Sequence, residues 1–396
     1  MQYRRFGRTE LQMPLITCGG MRFQFQWQDL PLADVPADNQ NNMAACVQRA
    51  FELGINHFET ARGYGSSERQ LGLILPKLPR DRIIVQTKII PEDDPAVFVA
   101  NFEESLRRLN LDHVDLLALH GINAPEVLHQ AVRRGGCLAA ARKLQAAGKA
   151  RHIGFSTHGP TDVIVQAIEH DRDGGFDYVN LHWFYIQQWN WPAIEAATRH
   201  DMGVFVISPV DKGGKLYEPP QRLVDLCQPL HPIVFNDLFC LSHPQVHTLS
   251  IGVSRPSDFD HHAQAVDLLE RAPALLPPIV ARLEEAYAAA VDPALRNPMG
   301  MGLPVWKDTP GQINIPSIVW LRNLVAAYDM VEYGKMRYNL LGNGGHWFPG
   351  NRADKMDDLD LRGVLASSPA ADAILKALRE AHALLKGEEV KRLQTE

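Results

Sequence analysis

From Leu15 to Leu269 the chain alternates short apolar, β-branched runs with longer stretches whose apolar positions recur every three to four residues. That rhythm is the mark of a parallel α/β fold. Eight runs read as strands: Leu15–Cys18, His57–Glu59, Ile83–Lys88, Val114–His120, His152–Ser156, Tyr178–Leu181, Val204–Ser208 and Thr248–Gly252. Helical patterns fall between them. Val97–Leu109 sets Phe98, Phe102, Leu106 and Leu109 on one face. Asn41–Leu53 stops at Gly54 and Ala139–Ala147 at Gly148, residues that tolerate the left-handed turn ending many helices. Trp191–Arg199 continues the series. Eight strand–helix units in about 250 residues match a closed (β/α)8 TIM barrel. An open doubly wound sheet is the rival, but it wants a Gly-x-Gly-x-x-Gly turn after its first strand, and none follows. Ahead of that strand, Gln2–Phe6, Gly7-Arg8-Thr9 and Glu10–Met13 read as an N-terminal β-hairpin able to plug the bottom of a barrel.

Near Arg271 the rhythm changes. Arg271–Ala290, Ile315–Tyr328 and Ala370–Leu385 read as helices, with a Pro/Gly/Met segment at Asn297–Gly311. Residues 1–270 are therefore expected to form the barrel and 271–396 a C-terminal helical domain.

Composition narrows the function. A net charge of −6 with interspersed signs leaves no footprint for nucleic acid. No apolar run reaches the roughly twenty residues of a membrane helix, and Met1–Phe6 has no apolar stretch behind its arginines to make a signal peptide. Cys18, Cys46, Cys137, Cys227 and Cys240 include no Cys-x-x-Cys pair, which predicts free thiols in a reducing, cytoplasmic setting. His261-His262 are adjacent on a predicted helix and point apart, so surface positions are expected and no metal site.

Three polar residues end apolar runs, and in a barrel the C-terminal strand ends form the rim where chemistry is built. Ile83–Lys88 delivers Lys88, Val114–His120 delivers His120, and Ile55–Glu59 delivers Glu59, with Tyr64 following in Arg62-Gly63-Tyr64-Gly65. Each alone has an ordinary reading: a solvated lysine, a rim histidine, a capping glutamate, a turn tyrosine. Together at one rim they form a proton-donating set. A phenol of pKa about 10 is a poor acid at neutrality; an adjacent ammonium stabilises the phenolate, and a carboxylate fixes that ammonium in place.

The stretch Gly54-Ile55-Asn56-His57-Phe58-Glu59-Thr60-Ala61-Arg62-Gly63-Tyr64-Gly65, continued by Ser67-Glu68-x-x-Leu71-Gly72, resembles the signature of the aldo-keto reductase superfamily. The resemblance covers roughly Tyr3 to Leu269. It implies Tyr64 as general acid, Lys88 as the group that lowers its pKa, Glu59 as counter-ion to the lysine and His120 as the residue orienting the carbonyl. The family has Asp where this chain has Glu59, a side chain one methylene longer, so the ion pair must be placed differently.

The resemblance also implies a nicotinamide site. Gly154-Phe155-Ser156-Thr157 is similar to the family's Gly-Val-Ser-Asn, which puts Ser156 at the carboxamide with Thr157 in place of asparagine. Asn180 stands where glutamine is usual and keeps an amide donor and acceptor. Ser208-Pro209-Val210-Asp211-Lys212-Gly213-Gly214-Lys215-Leu216 resembles the loop that covers the diphosphate, implying Ser208, Val210, Lys212, Gly213 and Leu216 as contacts. Ile207 replaces the tyrosine that many members stack on the nicotinamide. Ser254 and Arg255 follow the last strand, where the family holds the 2′-phosphate of NADP. The family resemblance implies NADP as cofactor; Val253 and Asp258 stand where basic residues are common, which leaves NAD open. Asn314-Ile315-Pro316 and Tyr333–Asn339 resemble the subgroup that appends a ferredoxin-like domain. Asn297–Gly311 and Asp354–Ser368 lack the cysteines that ligate its clusters, so no iron–sulfur cluster is expected; the domain is read as a packing or substrate-covering element. The expected activity is NAD(P)H-dependent reduction of a small aldehyde or ketone. A nicotinamide-binding sensor on the same barrel is the alternative, and a barrel enzyme using Lys88 covalently is a further rival.

Overall fold

The computed structural model describes residues 1–211 and 214–389. Lys212 and Gly213, both expected to touch the cofactor, lie outside the described residues. The chain opens on a hairpin in which β1 (Tyr3–Arg5) pairs antiparallel with β2 (Gln12–Pro14). Eight parallel strands then close a barrel: β3 (Ile16–Gly19), β4 (His57–Glu59), β5 (Ile84–Ile89), β6 (Val114–His120), β7 (Ala150–Ser156), β8 (Tyr178–Leu181), β9 (Gly203–Ile207) and β10 (Thr248–Gly252). β10 pairs with both β9 and β3, which seals the ring. Covered on both sides, the strands read as continuous apolar runs rather than alternating ones; every residue of β6 is buried.

The helix Pro95–Leu109 shows how local chemistry sets the outer layer. Asp94 accepts the Ala96 amide at 2.9 Å, Pro95 occupies the first turn, and Asn110 ends the helix in the left-handed conformation. Phe98, Phe102, Leu106 and Leu109 all face inward as the spacing predicts. The helix starts two residues ahead of the periodic pattern because Asp94-Pro95 supplies a cap and a first turn that need no apolar residue.

Within the barrel the hairpin closes the bottom. Phe6 and Met13 join Ile84, Leu116, Ala118, Tyr178 and Phe205 in one buried cluster. Phe6 lies so close over Gly203 that a Cβ there would stand 2.6 Å from its ring. Above this plug the interior turns polar: Thr17 Oγ1 meets His57 Nδ1 and Thr248 Oγ1, each at 2.8 Å. Burial first, and the Lys88 charge second, push the His57 imidazole down to about 3.

Two compact units emerge. The barrel unit contains Met1–Tyr217 with Asn236–Ala272; the other contains Glu218–Phe235 with, among the described residues, 273–389. The second contains the helices Ala272–Ala290, Ile315–Tyr328, Val331–Leu340 and Ala371–Leu385. Glu218–Phe235 joins them through Arg222, which donates to the Ala327 carbonyl at 2.7 Å, and through the Leu226 carbonyl, which accepts from Arg282 at 3.1 Å. Val331–Leu340 was not foreseen as a helix because Val-Glu-Tyr-Gly-Lys-Met-Arg-Tyr-Asn-Leu carries no apolar stripe. Tyr338 in this helix meets His382 Nδ1 at 2.7 Å.

Candidate active site

The C-terminal ends of the barrel strands surround an open cleft. Four of the side chains lining it are those singled out in the sequence: Glu59, Tyr64, Lys88 and His120. Lys88 and Glu59 are 2% and 3% exposed, and the ammonium is in direct contact with the carboxylate. Lys88 Nζ also donates to the Thr60 carbonyl at 3.0 Å and to the Tyr64 hydroxyl at 3.2 Å. The second Glu59 oxygen accepts from Ser250 Oγ at 3.0 Å, a partner 191 residues further along the chain that no motif signals. Glutamate therefore spans to the lysine despite its extra methylene.

Electrostatics in this corner follow from burial. Burial pulls the Lys88 ammonium below the ordinary lysine range, while contact with Glu59 opposes that pull by favouring the charged form. The Tyr64 ring lies 4.6 Å from the same ammonium. Its faces are bounded by His120, edge-on at 5.9 Å, and by Trp27, also at 5.9 Å. Beside His120, the His158 ring enters the cleft and packs edge-on against His182 at 4.4 Å.

The residues expected at a cofactor separate into three groups. Ser156, Ser208 and Val210 line the cleft, as does Ile207. Asn180 is the register partner of Ser156 on the neighbouring strand, so the two side chains share a face. Both amide atoms of Asn180 are buried without a protein partner, a donor and an acceptor held ready beside Ser156. Thr157 and Leu216 are buried but do not line the cleft: the Thr157 hydroxyl donates to the Ile122 carbonyl at 2.6 Å, and Leu216 packs in the turn Lys215–Tyr217. Ser254 and Arg255 stand past β10, tied to Asp258. That carboxylate accepts the Ser254 amide at 2.9 Å, its hydroxyl at 3.0 Å and Arg255 Nε at 3.0 Å.

The segment after β9 is strained. Ser208 and Asp211 adopt left-handed backbone conformations at φ of 59° and 47°, a conformation that costs a non-glycine residue and persists where neighbours enforce it. Burial pushes the Asp211 carboxyl up to about 8.

Two features escaped the sequence reading. Arg22 lines the cleft just past β3, where a single arginine after Gly19-Gly20-Met21 carries no recognisable motif. His262, expected at the surface, is fully buried. It falls on the inward stripe of the helix Phe259–Asp267 with Phe259, Ala265 and Val266, and its Nδ1 meets the equally buried Asp237 carboxylate. The i, i+3 spacing from Phe259 was the overlooked signal.

Comparison with known proteins agrees with this architecture. A stretch of 155 residues is 36% identical to L-galactose dehydrogenase of Arabidopsis thaliana, covering 37% of this chain and 47% of that protein. Another of 176 residues is 27% identical to L-glyceraldehyde 3-phosphate reductase of Escherichia coli (strain K12), covering 40% and 46%. The chain thus spans about half the length of the curated relatives it matches. Among solved structures, an aldo-keto reductase of Bacillus halodurans in its holo form superposes with a TM-score of 0.57 at 20% identity over 70% of this chain and 97% of that one. An aldo/keto reductase of Klebsiella pneumoniae in complex with NADP and acetate gives 0.56 at 19% identity over 70% and 96%; at such identities these two speak to the fold alone. The family profile described as "Aldo/keto reductase family" matches residues 15–223, just over half of the chain. With the closed barrel, its plugging hairpin and four polar residues gathered at one rim, the chain belongs to the aldo/keto reductase family.

Proposed function

We propose that this protein reduces a small aldehyde or ketone to an alcohol at the expense of NADPH, with Tyr64 as general acid. The observation that carries the reading is the Lys88 ammonium standing between the Glu59 carboxylate and the Tyr64 hydroxyl, 3.2 Å from the latter, inside an open cleft. A carbonyl oxygen placed against Tyr64 acquires negative charge as the bond order falls, and the phenol hands it a proton. The ammonium lowers the cost of leaving phenolate behind. Glu59, held by Ser250, keeps that ammonium charged and in register. His120, edge-on to the Tyr64 ring, orients the oxygen.

When bound, the nicotinamide supplies the hydride that the carbonyl carbon accepts. Residues present fit such a group: the unpartnered amide of Asn180 matches a carboxamide in both directions, with Ser156 beside it. Ser208 and Val210 support the strap over it, Lys212 and Gly213 belong to the same proposed site, and Leu216 backs the strap from its buried turn. Ser254 and Arg255 would take the 2′-phosphate by exchanging the Asp258 carboxylate for it, one anion for another. Residues 1–270 are read as the reductase module and 271–396 as a helical domain. The five described cysteines are all free and buried, which suits a reducing cytoplasm.

The direct test is stopped-flow oxidation of bound NADPH by a panel of small aldehydes and ketones. Turnover of at least one carbonyl is expected. Cofactor binding with no consumption across the panel would replace the reductase by a nicotinamide sensor.

A further inference from the structure

The proton-donating corner leaves a second buried chain of polar groups in the barrel unit unused. Asp237 and His262 are both fully buried, the carboxylate accepting from Nδ1–H. The other ring nitrogen of His262 faces the Tyr217 hydroxyl at 2.9 Å, and that hydroxyl also lies 3.2 Å from the Gly252 carbonyl. Tyr217 closes the turn at the end of the segment that follows β9. Over its ring sits the guanidinium of Arg22, 4.8 Å from the centroid, with Nη1 donating to the same Gly252 carbonyl at 2.9 Å.

Arg22 thus lies flat between the strap and the end of β10, and the two glycines bracketing it show how tightly. A Cβ at Gly214 would stand 2.4 Å from the guanidinium carbon, and one at Gly252 would stand 2.9 Å from Arg22 Cδ. A guanidinium offers five donors in a planar fork. One is used by Gly252, a face is covered by Tyr217, and among the described residues no acidic side chain forms an ion pair with it. Lys88, the other lysine or arginine lining the cleft among the described residues, is already committed to Glu59. A planar fork with unused donors at a cleft wall suits the paired oxygens of a phosphate group.

We propose that Arg22 is the anion anchor of the cleft, receiving the diphosphate of the nicotinamide cofactor, and that His262 is the positioning residue which holds Tyr217, and Arg22 upon it, in place. The inference rests on the nicotinamide reading above only for the identity of the anion. His262 never touches the ligand; it acts through Tyr217.

Inorganic pyrophosphate is the first probe, because it contains no nicotinamide. Titrated into the full-length protein, it should raise the melting temperature of the wild type and bind roughly tenfold more weakly to Arg22→Gln, which loses the charge-assisted contacts. No binding by the wild type, or equal binding by the variant, overturns the anchor. If the wild type takes pyrophosphate but neither NADP nor NAD, the anchor stands and the reductase reading falls. For the positioning role, Tyr217→Phe keeps the ring under Arg22 and removes only the hydroxyl that His262 holds. It should raise the KM for NADPH by about three- to tenfold with a smaller effect on kcat, and cost little when added to Arg22→Gln, because both act on one guanidinium. Losses that simply add, or that fall on kcat, overturn the role of the chain behind Arg22.

Discussion

The proton donor is a single phenol, and its environment decides whether it can serve. Tyr64 has one ammonium 3.2 Å from its oxygen and another ring edge-on at each side. Tyr64→Phe removes the hydroxyl and leaves the ring in place. Turnover of NADPH is expected to fall by about 10²–10⁴, the usual contribution of a positioned acid, while the Kd for the cofactor stays within about threefold. A variant that retains the wild-type rate would strip Tyr64 of its role. Lys88, Glu59 and His120 are legible in the sequence because each closes a recognisable apolar run, and strand ends share a rim in any closed parallel barrel; Tyr64 is legible by its place in the loop that follows Glu59. Ser250 and Arg22 are not. A serine inside β10 and an arginine in a loop acquire meaning only when closure of the ring sets them beside Glu59 and Gly252. His262 departs from its expected surface position for a different reason: it falls on the apolar stripe of its helix with Phe259, Ala265 and Val266, and that stripe, not its histidine neighbour, sets its burial.

At the scale of elements, the hairpin ahead of the barrel is a structural stopper. Phe6 is fully buried against Met13, Tyr178 and Phe205, and Gly203 makes room for its ring. Phe6→Ala should lower the urea midpoint of the barrel by an amount equivalent to about 3–5 kcal/mol, the range for emptying an aromatic site in a core. Because Phe6 lies at the end of the barrel opposite Lys88, whatever protein remains folded should keep its rate per active site. A midpoint equal to that of the wild type would show that the plug makes no net contribution. Strand positions came through from apolar runs bounded by glycine and charged residues; helix starts did not always, since caps such as Asp94-Pro95 extend a helix beyond its periodic part.

Across the whole molecule, buried ionisable groups set how stability responds to pH. Glu68 is fully buried in the helix Ser67–Leu71, and its carboxylate accepts from Thr87 Oγ1 at 2.6 Å. Burial pushes it up from 4.5 to about 7, against the pull of that hydrogen bond. Between those two values the folded chain keeps a proton that the unfolded chain has released. Stability therefore falls as pH rises from 4.5 to 7 and levels off above, by about 3 kcal/mol in all if the whole difference is expressed. Glu68→Gln keeps an oxygen for Thr87 and cannot ionise, so its melting temperature should overtake that of the wild type as pH goes from 5 to 8. Parallel curves for the two proteins would show that Glu68 ionises in the folded state as it does in the unfolded one. The amino-acid sequence alone determined the alternation of strand and helix, the hairpin before it, and which side chains end the third, fourth and second barrel strands at a common rim. Those are matters of periodicity and local spacing, which the chain carries along its own length. Only the tertiary structure decided that Glu59 reaches Lys88 and is held there by Ser250, and that a buried Asp–His pair stands behind Arg22. These depend on distances between segments up to 230 residues apart, and closure of the barrel is the event that sets them.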